Sequence, residues 1–140
     1  MPGAAVVAQS LPVGHDLVFA GGGLGALCRY SITTYVGARF AAFPLGTLAV
    51  NTVGSFLMGL IMGLLLLATE RYGLVAESYR LLLTVGFLGG LTTFSSFSFE
   101  TLLLLKGGSY LPALANIAAN VLSGLLLAAA GLLLARGILR

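Results

Sequence analysis

Between two apolar flanks, Leu81–Val85 and Leu102–Leu105, the chain carries the run GFLGGLTTFSSFSFE, Gly86 to Glu100. From Leu81 to Leu105 the sequence is long enough to cross a bilayer as one helix, which takes about 20 apolar residues. Its middle is nevertheless poor helix and poor membrane: a Gly89-Gly90 pair, then Thr92, Thr93, Ser95, Ser96 and Ser98, with Phe94 and Phe97 between them. Each glycine weakens a helix by about 1 kcal/mol relative to alanine, and hydroxyls compete for the backbone bonds of the next turn. Loosened backbone at mid-depth has no water to bond to, so it persists only when buried in protein or lining a polar path. The expectation is a transmembrane helix broken at mid-membrane that holds an ion.

Composition supports a membrane setting. Of 140 residues, 59% are hydrophobic and 8% charged, and the mean hydropathy is +1.07. So little charge excludes an ordinary soluble domain, and apolar runs of helical length favour helices over an alternating outer-membrane barrel. The single cysteine, Cys28, permits no intrachain disulfide, and the single histidine, His15, has no neighbouring ligands for a metal cage. A net charge of +3 from scattered basic residues gives no support for nucleic-acid binding. The expected fold class is an all-α integral membrane protein with four transmembrane helices. Residues 1–15 read as a flexible tail without the basic start of a signal peptide. Residues 16–140 read as a single membrane domain, with spans near 16–40, 44–69, 80–105 and 110–135.

The first span holds GGGLGALCRY, whose glycines at 21, 22, 23 and 25 let another backbone come close. Arg29 lies well inside it, so it faces a polar cavity or partner, or else snorkels to an interface. In the second span Thr47, Asn51 and Ser55 recur at helical spacing along one face. Such a stripe is either interhelical glue or the wall of a path. In the fourth span Asn116 and Asn120 share a face, followed by Ser123. Glu100 follows Phe99 in the second half of the third span and points to the interior or a vestibule. The basic residues outside the membrane divide as Arg71, Arg80, Arg136 and Arg140 on the side of the termini, against Arg39 and Lys106. That bias places the termini in the cytoplasm only mildly and suits insertion in both orientations.

The donors on offer are neutral amides and hydroxyls, which replace the water of a small anion without trapping it. Phe94 and Phe97, three apart, are either core packing or ring edges whose positive rim meets that anion. Broken backbone points the other way, because exposed carbonyls bind cations such as Na⁺. One break supplies too few carbonyls for a cage; two copies meeting there double them, which argues for a dimer.

GGGLGALCRY, GTLAVNTVGSF and GFLGGLTTFSSFSFE, in that order in a chain of this length, resemble the CrcB/Fluc fluoride channels, and the match runs from Gly21 to about Gly124. The resemblance implies an antiparallel, dual-topology homodimer in the cell's inner membrane, with two narrow pores through which fluoride leaves the cytoplasm passively. It implies a structural Na⁺ at the dimer centre, held by the backbone carbonyls of Gly89 and Thr92 of both subunits. It places the pore phenylalanines at Phe94 and Phe97, the pore asparagine at Asn51, a hydroxyl at Thr47, the first-span arginine at Arg29 and the third-span acid at Glu100. In the fourth span the family's tyrosine and serine fall on Asn116 and Asn120, a departure that leaves amides on the polar track, with Ser123 beyond. The alternative is a small dual-topology exporter of organic cations, which needs an embedded first-span carboxylate; Asp16 stands only at the edge of that span. An enzyme is not expected, since no nucleophile–base pair, metal cage or phosphate loop is present.

Overall fold

A computed structural model describes residues 2–73 and 77–139, and of residues 2–13 the backbone alone. Every regular element among the described residues is a helix. Helix α1 runs Pro2–Arg39 and α2 Leu45–Tyr72; a short α3, Glu77–Tyr79, leads into a π-helical segment, Arg80–Leu88, and then α4, Gly89–Leu91. After two extended residues come α5, Phe94–Lys106, and α6, Tyr110–Ile138. Three stretches are long and apolar enough to cross a membrane: Leu45–Tyr72, Glu77–Lys106 and Tyr110–Ile138. Helix α1 has the length, but its glycines and Arg29 dilute its apolar character. It is helical from Pro2, so the residues expected as a tail belong to the same helix, with Pro2 in the first turn, where proline costs little. At 38 residues α1 spans about 57 Å, well beyond the ~30 Å hydrocarbon layer. Arg140, one of the charges used for the topology balance, lies outside the described residues.

The helices pack as two parallel pairs. Helix α1 lies along the π-helical segment and α4 with backbones almost touching: a Cβ at Gly25 would land on the Phe87 carbonyl, and one at Gly90 on the Gly22 carbonyl. Helix α2 lies along α6 in the same manner at its far end, where Gly59 faces the Ala128 carbonyl and Gly131 the Phe56 carbonyl. Such seams form because glycine lets dispersion contacts extend along both backbones, and lipid supplies no hydrophobic drive to do the same. Val50, Leu88 and Leu91 form a small apolar centre where α2 meets the third helical run. Gly108 (φ 73°) turns the chain from α5 into α6.

Candidate functional site

The third run leaves helical geometry at Thr92 (φ −83°, ψ 155°) and Thr93 (φ −151°, ψ 114°). The glycine pair is not where the backbone opens. Gly89 and Gly90 stay helical, and Gly90 supplies close approach to α1. The opening falls instead on the two threonines, whose side chains rebuild the ends. The Thr92 hydroxyl and N–H both donate to the Leu88 carbonyl (2.9 and 3.0 Å), closing α4. Thr93 caps α5 by accepting from the Ser96 N–H (3.2 Å). Gly54 of α2 makes room, since a Cβ there would strike the Thr92 methyl.

This rearrangement leaves the four carbonyls before the break, those of Gly89, Gly90, Leu91 and Thr92, without their helical donors. In a continuous helix the Thr93 N–H would reach Gly89 O and the Ser96 N–H would reach Thr92 O. Here Thr93 N–H donates to Asn51 Oδ1 (2.7 Å) and Ser96 N–H to the Thr93 hydroxyl. Gly89 and Thr92 thereby lose their helical donors, and Gly89 lies on an exposed face.

Asn51 holds the opened backbone from α2. Its oxygen takes the Thr93 N–H, and its Nδ2 donates to Thr93 O (3.1 Å) and to Asn120 Oδ1 (3.0 Å). From Asn120 the chain of bonds continues through α6 and back to α5. Asn120 Nδ2 donates to both Asn116 oxygens (3.0 Å each), Asn116 Nδ2 to Thr101 Oγ1 (2.9 Å), and the Thr101 hydroxyl to Phe97 O (2.8 Å). Asn116 is fully buried and Asn120 nearly so. Buried amides left unpaired would each cost about 1–3 kcal/mol, which this circuit avoids.

Beside the network a groove of about 510 Å³ opens between α2, the break and α6, with Asn51, Thr93, Phe94, Phe97 and Asn120 among its walls. Phe97 is buried, whereas Phe94 is 79% exposed. The two rings meet at a centroid distance of 5.4 Å, tilted by 58°. Thr47 and Glu100 form a separate group: the Thr47 hydroxyl donates to Glu100 Oε1 (2.7 Å), while the buried Glu100 Oε2 has no hydrogen-bond partner among the described residues. Glu100 borders a second cavity of about 510 Å³ towards the α1–α2 connection. Ser123 stands one turn beyond Asn120 and pairs with Thr52 Oγ1 (2.9 Å). Arg29 is on α1, one turn from Gly25 and one from Thr33, on the side that meets α4 and α2, and is not among the groove residues. Asn116 is likewise off the groove, behind Asn120. The sequence marks Thr93 only as one of several hydroxyls that loosen the break, and gives no sign of Thr101 and Thr52 as participants. Thr101 stands on the same face of α5 as Phe97, and Thr52 about one turn before Ser55, but only the facing helix reveals their partners.

The family model described as "CrcB-like protein, Camphor Resistance (CrcB)" matches residues 17–132. Among curated relatives, the "Fluoride-specific ion channel FluC" of Pyrococcus abyssi is 48% identical over 120 residues, covering 86% of this chain and 94% of its own length. That of Pelobacter propionicus is 47% identical over 125 residues (89% and 92%), and that of Citrifermentans bemidjiense 45% over 118 (84% and 92%). These relatives carry the name of ion channels, a function without enzymatic turnover. With three to four membrane-spanning helices and a match over most of its length, this multi-pass membrane protein belongs to the CrcB/FluC family.

Proposed function

We propose that the chain is the subunit of a fluoride channel, an antiparallel dual-topology homodimer in the cell's inner membrane with two pores that let fluoride leave the cytoplasm passively. The observation that carries this reading is the near-full-length similarity to relatives named fluoride-specific ion channels. The local chemistry is consistent with it. Neutral amides and hydroxyls beside the break, with no fixed cation in the groove, suit a small anion that must shed water and move on. The ring edges of Phe94 and Phe97 offer weak positive rims, and the exposed Phe94 needs a cover that a second copy provides. Asn51 and Asn120 continue the polar wall, with Asn116 behind them and Ser123 a turn beyond, off the groove and paired with Thr52. Thr47 and Glu100 stand toward one mouth, and Arg29 draws anions electrostatically.

The residues also fit a structural Na⁺. The carbonyls of Gly89 and Thr92 have lost their helical donors, and carbonyls of unwound helix are ligands for Na⁺. Two copies meeting at the break would pool these oxygens around one ion, whose charge staples the seam. The small Arg and Lys bias, four against two, is compatible with insertion in both orientations. The exporter reading receives no support: its required carboxylate, Asp16, lies exposed near the end of the apolar part of α1, and the relatives are named as channels.

The test is passive efflux from vesicles loaded with fluoride or chloride and containing the purified protein. Fast fluoride release with chloride retained, and no proton gradient applied, is the expected result. No fluoride release, or export of an organic cation driven by a proton gradient, would refute it.

A further inference from the structure

The two donors of the Asn51 amide are both taken, one by Thr93 O and the other by Asn120 Oδ1. The first bond holds the break. The second faces a groove wall and has an acceptor that is a side chain, free to be replaced. We propose that Asn120 sets the affinity threshold an anion must exceed: its amide oxygen occupies the Asn51 N–H that a passing anion needs, so an ion passes only by displacing it. This rests on the channel reading above.

The direction of the hydrogen bonds follows from two anchors at opposite ends of the circuit. At one end Thr93 N–H is a donor, so the Asn51 atom facing it is the oxygen and its Nδ2 points towards Asn120. At the other end Phe97 O is an acceptor, so the Thr101 hydroxyl gives it its proton and receives from Asn116 Nδ2. Asn116 therefore turns its oxygen to Asn120, whose NH₂ is drawn to both Asn116 oxygens and whose own oxygen is left facing Asn51. Both anchors demand the same orientation of Asn120. Turning its amide over would set oxygen against oxygen at Asn116 and N–H against N–H at Asn51. Asn116 and Thr101 are thus positioning residues that keep the Asn120 oxygen on the Asn51 donor.

A neutral amide oxygen in that place sets a threshold. A compact, fully charged acceptor wins the N–H from it, because a bond to a charged partner is roughly twice as strong as a neutral one. A large, diffuse halide, which accepts weakly, does not. Breaking the Asn51–Asn120 bond costs either ion the same, so the competition lowers both affinities by one factor and leaves chloride, already the weaker acceptor, below use.

The experiment measures fluoride concentration dependence and chloride leak in vesicles for wild type, Asn120→Ala and Thr101→Val, each first shown to be monodisperse. Asn120→Ala frees the Asn51 donor and is expected to lower the half-saturating fluoride concentration about fivefold, the weight of one net hydrogen bond, with chloride now leaking measurably. Thr101→Val lies off the groove and removes the proton acceptor that orients Asn116; it is expected to move both quantities in the same direction, by about twofold. If Asn120→Ala is not monodisperse, Thr101→Val decides. Unchanged half-saturation and unchanged chloride exclusion would overturn the proposal. Loss of fluoride flux in a well-folded Asn120→Ala protein would also overturn it, by making Asn120 a ligand rather than a competitor. Wild-type vesicles that release no fluoride would instead refute the channel reading itself.

Discussion

The α1 seam and the surroundings of the break are held by opposite means. Where α1 meets the π-helical segment and α4, glycines at 21, 25, 86 and 90 bring backbone onto backbone, and no side-chain hydrogen bond crosses between the described residues. Where α2 meets α5 and α6 around the break, the contacts are amide and hydroxyl side chains that bond one another across three helices. The first seam is stiff because it has no side chain to rearrange; a bulge of any size collides with a carbonyl. The second has side chains with alternative partners, and a groove runs beside it. Apolar close packing thus fixes the scaffold, and exchangeable polar contacts lie beside the groove.

The contrast predicts a graded series. Gly25→Val drives two methyls into the Phe87 carbonyl and should cost about 3 kcal/mol or more, seen as loss of monodisperse protein and of thermal stability before any transport can be read. Asn51→Asp keeps an acceptor for Thr93 N–H but loses both donors and puts a carboxylate on the groove wall; fluoride flux should fall to background while the protein still purifies. Wild-type flux in that variant would make Asn51 helix glue alone. Phe94→Ile and Phe97→Ile replace ring edges with aliphatic branches and should slow fluoride flux about tenfold with assembly intact, the weight of an aromatic edge contact of roughly 1.5 kcal/mol. Unchanged flux in both would remove the rings from the path. Thr52→Val breaks one hydroxyl pair with Ser123 away from the break and should cost about 1 kcal/mol in unfolding, with flux within about twofold of wild type.

How far this was legible in the sequence differs between the same two seams. The first-span glycines read as a surface for close approach, and the structure gives that surface a partner, a π-helical stretch that no spacing announced. In the polar seam, hydroxyls between Thr92 and Ser98 read as a loosened backbone, but the glycine pair drew attention that belonged to Thr92 and Thr93. The reason is that a glycine weakens a helix only where tertiary contacts do not hold it, and Gly90 is clamped against α1. The i, i+4 ladders placed Thr47 with Asn51 and Asn116 with Asn120, and each pair does share a face. Spacing along one helix says nothing about register between helices, though. That register sends Thr47 to Glu100, Asn51 to Thr93 and Asn120, and Asn116 to Thr101, so the amides bond one another rather than standing free. Arg29 illustrates the same limit: the sequence leaves it either deep in the span or snorkelling to an interface, and does not give its side of the bundle.

Current through purified protein in a planar bilayer, with sodium fluoride on both sides and then sodium chloride, tests the central claim most directly. The account predicts a steady fluoride current that needs no proton gradient and a chloride current at background. No fluoride current, or chloride carried as readily as fluoride, would contradict it.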